Sequence, residues 1–252
     1  MQYTLKKHLG QHFLHDEDMC QRIVDTTTQT DVSILEIGPG AGAITKYFIQ
    51  NNHISYKCVE LDQEKVDYLL LKYPSLKTKI IHEDFLKITQ PFDGEFEVVG
   101  NFPYNISSQI LFKILDWKNQ VYQVVGMFQK EVAERVTSKH GKKSYGILSV
   151  LIQCYYDVEY LFDVPPNCFT PPPKVMSAVI RLKRKEIPLL NDNEQKFKQF
   201  VKNAFNQRRK TLRNGLKSFY KPEQLTDEIF NKRAEQLNVT ELISLFQKLH
   251  SF

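Results

Sequence analysis

The tetrapeptide Asn101-Phe102-Pro103-Tyr104 carries the residue types needed to hold a flat, amine-bearing ring. An asparagine side-chain oxygen and a neighbouring backbone carbonyl accept the two N–H bonds of an exocyclic amine, while an aromatic face stacks on the ring. Pro103 fixes its own φ and donates no hydrogen bond, so it holds the Phe102 carbonyl and the Tyr104 ring in a set relation. The same residues also suit a plain strand-to-helix turn, with Asn105 or Ser107 as the helix cap and Tyr104 as packing.

A second constellation lies upstream. The short apolar run Ser33–Ile37 leads into Gly38-Pro39-Gly40-Ala41-Gly42, after which Ile44, Tyr47 and Phe48 mark a helix. Strand, glycine turn and helix N-terminus in succession form the nucleotide-binding element of a Rossmann-like sheet, because glycine lets the backbone approach a ligand closely. The spacing is G-x-G-x-G, so a small adenosine-containing ligand is expected in preference to a dinucleotide. Glu60 ends the next strand, Tyr56–Asp62, where a carboxylate accepts from ribose hydroxyls or stands as a solvated strand-end charge. Asp84 follows the strand Thr78–His82 and either takes a hydrogen bond from an adenine amine or caps the next turn.

These residues need a sheet to position them. Phe96–Gly100 reads as a buried strand, and Ile106, Ile110, Leu111 and Ile114 follow at helical spacing, so the tetrapeptide sits at the carboxyl end of a strand. That is where open α/β sheets bind ligands. Further helices are expected from about Asp16, near Gln63–Tyr73, over Lys130–Thr137 and over Tyr145–Tyr156, with Val121–Phe128 as a fifth strand. Strands flank the turn-rich Pro165–Pro173, and Val175–Leu182 is read as the last strand of the sheet. Beyond Lys185 the character changes: Asp192-Asn193-Glu194-Gln195 resembles a capping box, and Phe197, Phe200, Val201, Ala204 and Phe205 follow at helical spacing. More helices are expected near Pro222–Phe230 and over Thr240–His250. The expected organisation is an α/β domain over residues 1–185 and a small helical domain over 186–252.

Hydrophobic content of 42% and charged content of 25% describe an ordinary globular chain. Thirty-four Lys and Arg against 29 Asp and Glu leave +5, a mild excess that says less than its clustering. Basic residues gather at Lys139, His140, Lys142 and Lys143, in a segment read as a mobile loop, at Arg181–Lys185, and at Arg208, Arg209, Lys210, Arg213 and Lys217. The last group is either a solvated helix face or a phosphate-contacting one. Cys20, Cys58, Cys154 and Cys168 are far apart and lack a C-x-x-C, so they read as reduced packing residues of a cytoplasmic protein, with no zinc site signalled. The first residues lack the apolar core of a signal peptide, and no membrane span is expected.

In order along the chain, Gln11-His12-Phe13-Leu14, Glu36-Ile37-Gly38-Pro39-Gly40-Ala41-Gly42, Asn101-Phe102-Pro103-Tyr104-Asn105-Ile106-Ser107 and Phe169-Thr170-Pro171-Pro172-Pro173-Lys174-Val175 resemble the ribosomal RNA adenine N6,N6-dimethyltransferases. The resemblance implies a Rossmann-like methyltransferase sheet, S-adenosylmethionine as methyl donor with no metal, and two adjacent N6,N6-dimethyladenosines near the 3′ end of 16S rRNA as product. It implies the small ribosomal subunit as partner, a role in that subunit's maturation, and a monomer in the cytoplasm. By the same resemblance His12 and Leu14 close over the donor, Gly38 approaches it by backbone, Glu60 takes the ribose hydroxyls and Asp84 the adenine amine, and Asn101 borders donor and substrate. Phe169 stacks on the face of the flipped base opposite Tyr104. Two positions depart from the family pattern, which more often has Asn at His12 and Leu at Phe102. The alternatives are methylation of large-subunit rRNA and a mainly non-catalytic role in small-subunit assembly.

Overall fold

The computed structural model describes residues 12–28, 31–190 and 193–250. Gln11 of the first motif and Asp192 of the expected capping box lie outside them. The elements run β1 (Phe13–Leu14), α1 (Glu17–Asp25), β2 (Val32–Ile37), α2 (Thr45–Phe48), β3 (Ile54–Glu60), α3 (Gln63–Lys72), β4 (Ile80–His82), β5 (Phe96–Asn101), α4 (Ser107–Asp116), β6 (Val121–Gln129) and α5 (Lys130–Thr137). They continue with α6 (Ile147–Gln153), β7 (Tyr156–Val164), β8 (Phe169–Thr170), β9 (Ser177–Arg184), α7 (Glu194–Asn206), α8 (Leu212–Leu216) and α9 (Val239–His250).

One sheet of order β4-β3-β2-β5-β6-β9-β7 organises the first part of the chain. Its strands β4, β3, β2, β5 and β6 are parallel, and β9 runs antiparallel to β6. Parallel strands covered on both faces read as continuous apolar runs, and the centre of the sheet does: Ile34, Leu35, Val98, Val99, Val124 and Val125 are all inaccessible to solvent. The carboxyl ends of β2, β3 and β5 therefore meet at one edge, carrying Ile37, Glu60 and Asn101. A separate two-stranded pairing sets Leu14 of β1 opposite Phe169 of β8, and so ties the N-terminal arm to the proline-rich segment. Asp16 caps α1 by accepting from Met19 N at 3.0 Å. No helix among the described residues is long and apolar enough to cross a membrane.

Several expectations change. The glycine turn does not enter a full helix: α2 is a single turn, preceded by non-helical turns over 40–44. The core helix expected over 145–156 is only Ile147–Gln153, because Tyr156 opens a strand. Strand β9 is the last strand in chain order, as expected, and in the sheet it lies between β6 and β7, which makes β7 the edge. Asn193, which precedes α7, sits at φ 59° and makes no side-chain cap bond. Residues 222–231 form two 3-10 turns, Pro222–Leu225 and Glu228–Asn231, instead of an α-helix, with Asp227 between them accepting from Ile229 N.

The chain divides into two compact units, one comprising the chain up to Ala133 with Val158–Arg184, the other Glu134–Asp157 with Lys185 onward. A single boundary after residue 185 misses that division, because α6 belongs with the helices that follow. Its Leu148, Val150, Leu151 and Ile152 are all buried, and Lys185 N and Leu189 N donate to the Tyr155 and Cys154 carbonyls. Within this second unit Phe197 and Phe200 of α7 meet Phe246 of α9 at 5.3 and 5.7 Å between ring centres. The basic group at 208–217 does not share one helix face, since α7 ends at Asn206 and α8 starts at Leu212. Arg208 donates to the Lys143 and Tyr145 carbonyls at 2.7 and 2.9 Å and pairs with Glu235, while Arg213 reaches the Asp227 carbonyl at 3.3 Å. These two arginines fasten loops.

Candidate active site

A cavity of about 220 Å³ opens at the carboxyl ends of β2, β3 and β5. Its wall includes His12, Leu14, Gly38, Glu60 and Asp84 together with the whole tetrapeptide Asn101–Tyr104. The arm, the glycine turn, two strand-end carboxylates and the Asn101–Tyr104 turn thus converge on one space.

Gly38 has φ 66°, a left-handed conformation that side chains other than glycine's rarely adopt. A β-carbon there would stand 3.8 Å from the Pro103 ring, so the glycine turn and the tetrapeptide adjoin. Gly42, at φ 82°, has no room at all: its β-carbon would lie 2.9 Å from Tyr73 and 3.1 Å from Leu69 of α3. The turn is therefore clamped between the sheet edge and a helix. Beyond φ, this closeness is what excludes other residues.

Glu60 is buried and already holds three backbone N–H groups. Its Oε2 accepts from Gly40 N at 3.1 Å, and Oε1 accepts from Leu61 N and Asp62 N at 3.0 Å each. A carboxylate has about four acceptor positions, so this one is oriented by the glycine turn and keeps capacity for a ligand hydroxyl. Asp84 accepts from Leu86 N at 2.9 Å and so does cap its turn, while also lining the cavity.

In the tetrapeptide, Asn101 Nδ2 donates to the His12 carbonyl at 3.1 Å. This contact assigns the amide its orientation and reserves Oδ1 as an acceptor. Phe102 N donates to the Met127 carbonyl at 3.1 Å, and its ring is wholly buried against Phe128 at 5.0 Å, edge to face. The ring fits because two strand glycines leave space: β-carbons at Gly100 and Gly126 would fall 2.9 and 2.6 Å from it. The Phe102 side chain is therefore an anchor for the turn. Ser107, the first residue of α4, donates back to the Pro103 and Tyr104 carbonyls at 3.2 and 3.1 Å. Tyr104 shares a 2.5 Å hydrogen bond with Ser177, and burial holds its phenol above the ordinary range, so it stays neutral.

His12 gains a definite role. Its Nδ1 donates to the Pro171 carbonyl at 2.8 Å, and its ring stacks on Tyr104 at 5.6 Å with a 27° interplanar angle. It joins the arm, the proline-rich segment and the tetrapeptide. Phe169 is 2% exposed, packs in the core cluster with Leu14, Val164 and Cys168, and is not among the residues that line this cavity. Its pairing opposite Leu14 draws the ring into that core.

Two wall residues escaped the sequence reading. Lys65, on α3, is buried and would have its Nζ 3.8 Å from a β-carbon at Gly40. Glu36, on β2, is 2% exposed, and its Oε2 accepts from Thr45 Oγ1 at 2.8 Å and Tyr56 Oη at 2.5 Å. Both signals were present in the sequence: a charged residue inside an apolar run, and a lysine facing the sheet from a helix that has Val66 and Leu69 on its buried side.

Comparison with known proteins agrees with this geometry. A family model described as ribosomal RNA adenine dimethylase matches residues 2–250. A protein of Cytophaga hutchinsonii named ribosomal RNA small subunit methyltransferase A is 53% identical, covering 97% of this chain and 96% of its own. One of the same name from Flavobacterium johnsoniae is 52% identical, covering 98% and 96%. Among solved structures, a dimethyladenosine transferase from Plasmodium falciparum superimposes with a TM-score of 0.79 at 22% identity, over 95% of this chain and 98% of its own. The 23S rRNA methyltransferase ErmE does so with a TM-score of 0.71 at 25% identity, over 94% and 99%.

Proposed function

Because this chain belongs to the ribosomal RNA adenine dimethylase family, we propose that it transfers methyl groups from S-adenosylmethionine to N6 of two adjacent adenosines near the 3′ end of 16S rRNA, acting on the small ribosomal subunit as a cytoplasmic monomer. The observation that carries the reading is the meeting of the glycine turn, Glu60 and Asn101–Tyr104 in one cavity.

S-adenosylmethionine supplies a methyl group on a sulfonium, whose neutral thioether leaving group removes the need for a metal or a strong base. The residues suited to hold it are Gly38 by its backbone, Glu60 at the ribose and Asp84 at the adenine amine, with His12 and Leu14 closing the wall. What the protein must add is position. The target amine has its lone pair delocalised into the ring. Accepting its two N–H groups at Asn101 Oδ1 and the Phe102 carbonyl favours the pyramidal amine that attacks. Tyr104 offers the ring face on which an extruded base stacks, worth about 1–3 kcal/mol against an extrusion cost of a few kcal/mol. After transfer the amine releases a proton to solvent and keeps one N–H, so in a second methylation one of the two acceptors holds that N–H and the first methyl takes the place of the other hydrogen.

The test is transfer of labelled methyl from S-adenosylmethionine to undermethylated small subunits, to large subunits and to naked rRNA, followed by nucleoside analysis. Dimethyladenosine formed on small subunits is expected. Asn101→Ala is expected to lower the rate by about 100-fold or more, as removal of one aimed hydrogen-bonding group does. Label on large-subunit RNA alone would overturn the substrate assignment, and full subunit binding with no transfer by the unaltered protein would overturn the enzymatic one.

A further inference from the structure

Glu36 is a buried carboxylate in the wall of a cavity assigned above to a positively charged ligand, and the mechanism leaves it unused. Both hydroxyls that reach it, Thr45 and Tyr56, bind Oε2. Among the described residues the Tyr145 hydroxyl is the buried side-chain polar atom without a partner, so Oε1 of Glu36 is not sealed and opens toward the cavity. The groups that act on it are Tyr56, Cys58 and Glu60 on β3, Thr45 on α2 and Cys20 on α1, and the cation of the same cavity wall is Lys65 of α3, beside Gly40. Lys46, the basic residue of α2, is engaged at the surface by Glu17.

We propose that Glu36 makes the cavity discriminate between the sulfonium donor and the thioether product by charge, ionising when the positive ligand is bound and taking up a proton when the neutral one replaces it. This rests on the reading of the cavity as an S-adenosylmethionine site. The two ligands carry the same adenosine, ammonium and carboxylate, and differ by one methyl group and one positive charge. In a low-dielectric wall a carboxylate interacts strongly with that charge. Its position also allows it to titrate: burial, and then repulsion from Glu60, oppose ionisation, whereas the Tyr56 and Thr45 hydroxyls favour it, and the balance places the carboxyl at about 7. Above that value Glu36 is charged and favours the donor. Below it, the carboxyl is neutral and the preference fades. When methyl transfer is complete, the ligand in the cavity has one positive charge fewer, and one proton from solvent restores the balance at Glu36, which loosens nothing else in the site.

Calorimetric titration of the full-length protein with S-adenosylmethionine and with S-adenosylhomocysteine tests this, in buffers of differing ionisation enthalpy so that proton exchange is read directly. The preference for the sulfonium ligand is expected to rise about tenfold between about pH 6 and about pH 8.5, with net proton uptake on exchange for the thioether near pH 7. Glu36→Gln is expected to flatten that wild-type excess, since titration of the ligands' own ammonium persists in the variant. Tyr56→Phe and the isosteric Thr45→Val each remove a donor and are expected to move the midpoint to higher pH. Equal pH profiles for wild type and Glu36→Gln would overturn the inference while leaving the cavity reading intact. Failure of both ligands to bind the wild-type protein would overturn the two together.

Discussion

Two buried glutamates on adjacent parallel strands show how one sheet serves opposite purposes at its two ends. Glu97 lies near the amino end of β5 and is inaccessible to solvent. Its Oε2 accepts from Thr28 N at 3.0 Å and Tyr122 Oη at 3.2 Å, and its Oε1 accepts from Gln123 Nε2 at 3.1 Å. Both oxygens are thus engaged, and the cluster pins the segment between α1 and β2 to the sheet. Glu36, one residue from the carboxyl end of β2, has donors on one oxygen alone. Burial pushes both carboxyls above the ordinary range. A closed set of donors makes a fastener of the first, whereas the half-open set of the second leaves it answerable to whatever enters the cavity. Burial by itself does not distinguish a structural acid from a functional one; the count of satisfied oxygens does.

The largest test of that contrast is Glu97→Gln. All three partners of Glu97 are donors, so the new amide must turn its NH₂ toward one of them. A loss of about 2–3 kcal/mol in urea unfolding is expected, the scale of leaving buried polar groups unpaired. A neutral outcome would mean that the cluster is not closed.

Gly126→Ala probes the rigidity of the open end. The added methyl would lie 2.6 Å from both the Phe102 and Phe128 rings, which have little space to move. Overpacking of this kind costs about 1–3 kcal/mol. Here it should also displace the Phe102 carbonyl, so methyl transfer is expected to fall further than thermal stability alone accounts for, as a ratio of turnover to folded protein would reveal.

The last effect has the opposite sign and depends on pH. Because folding raises the Glu36 carboxyl from its ordinary 4.5 to about 7, the native state binds its proton more tightly than the unfolded chain does. That contribution to stability is complete below pH 4.5 and is lost as pH rises through about 7. Glutamine places its carbonyl under the two hydroxyls and its NH₂ toward the cavity, and it does not ionise. Glu36→Gln is therefore expected to stabilise the ligand-free protein at pH 8, by up to about 3 kcal/mol, and to do almost nothing at pH 4, below both values, in paired melting curves. Loss of stability at both pH values would place Glu36 with Glu97 among the fasteners.

Much of this was legible in the residues. Apolar runs located β2, β3, β5 and β6 because parallel strands are buried on both faces, and glycines, carboxylates and the tetrapeptide fell at their carboxyl ends, where the cavity lies. What was not legible depended on partners distant in the chain. Glu36 and Glu97 each sit in an apolar run that was read for its hydrophobicity, so their charge passed without comment. The one-turn α2 and the 3-10 turns of 222–231 show that helical spacing cannot tell a helix from a series of capped turns: Asp62 on α3 and Asp227 make the same kind of cap bond with different results. The bond from Arg208 to the Lys143 carbonyl joins positions 65 residues apart, and only the structure reveals that this basic side chain is spent on carbonyls and on Glu235.

The niche between Gly100 and Gly126 binds distant positions into one choice. The Phe102 ring occupies space that two absent side chains would otherwise fill. Leucine introduced at 102 alone would leave a void beneath the turn, and a side chain introduced at 126 alone would expel the phenylalanine. Positions 102 and 126 are in that sense a single packing decision written in two places.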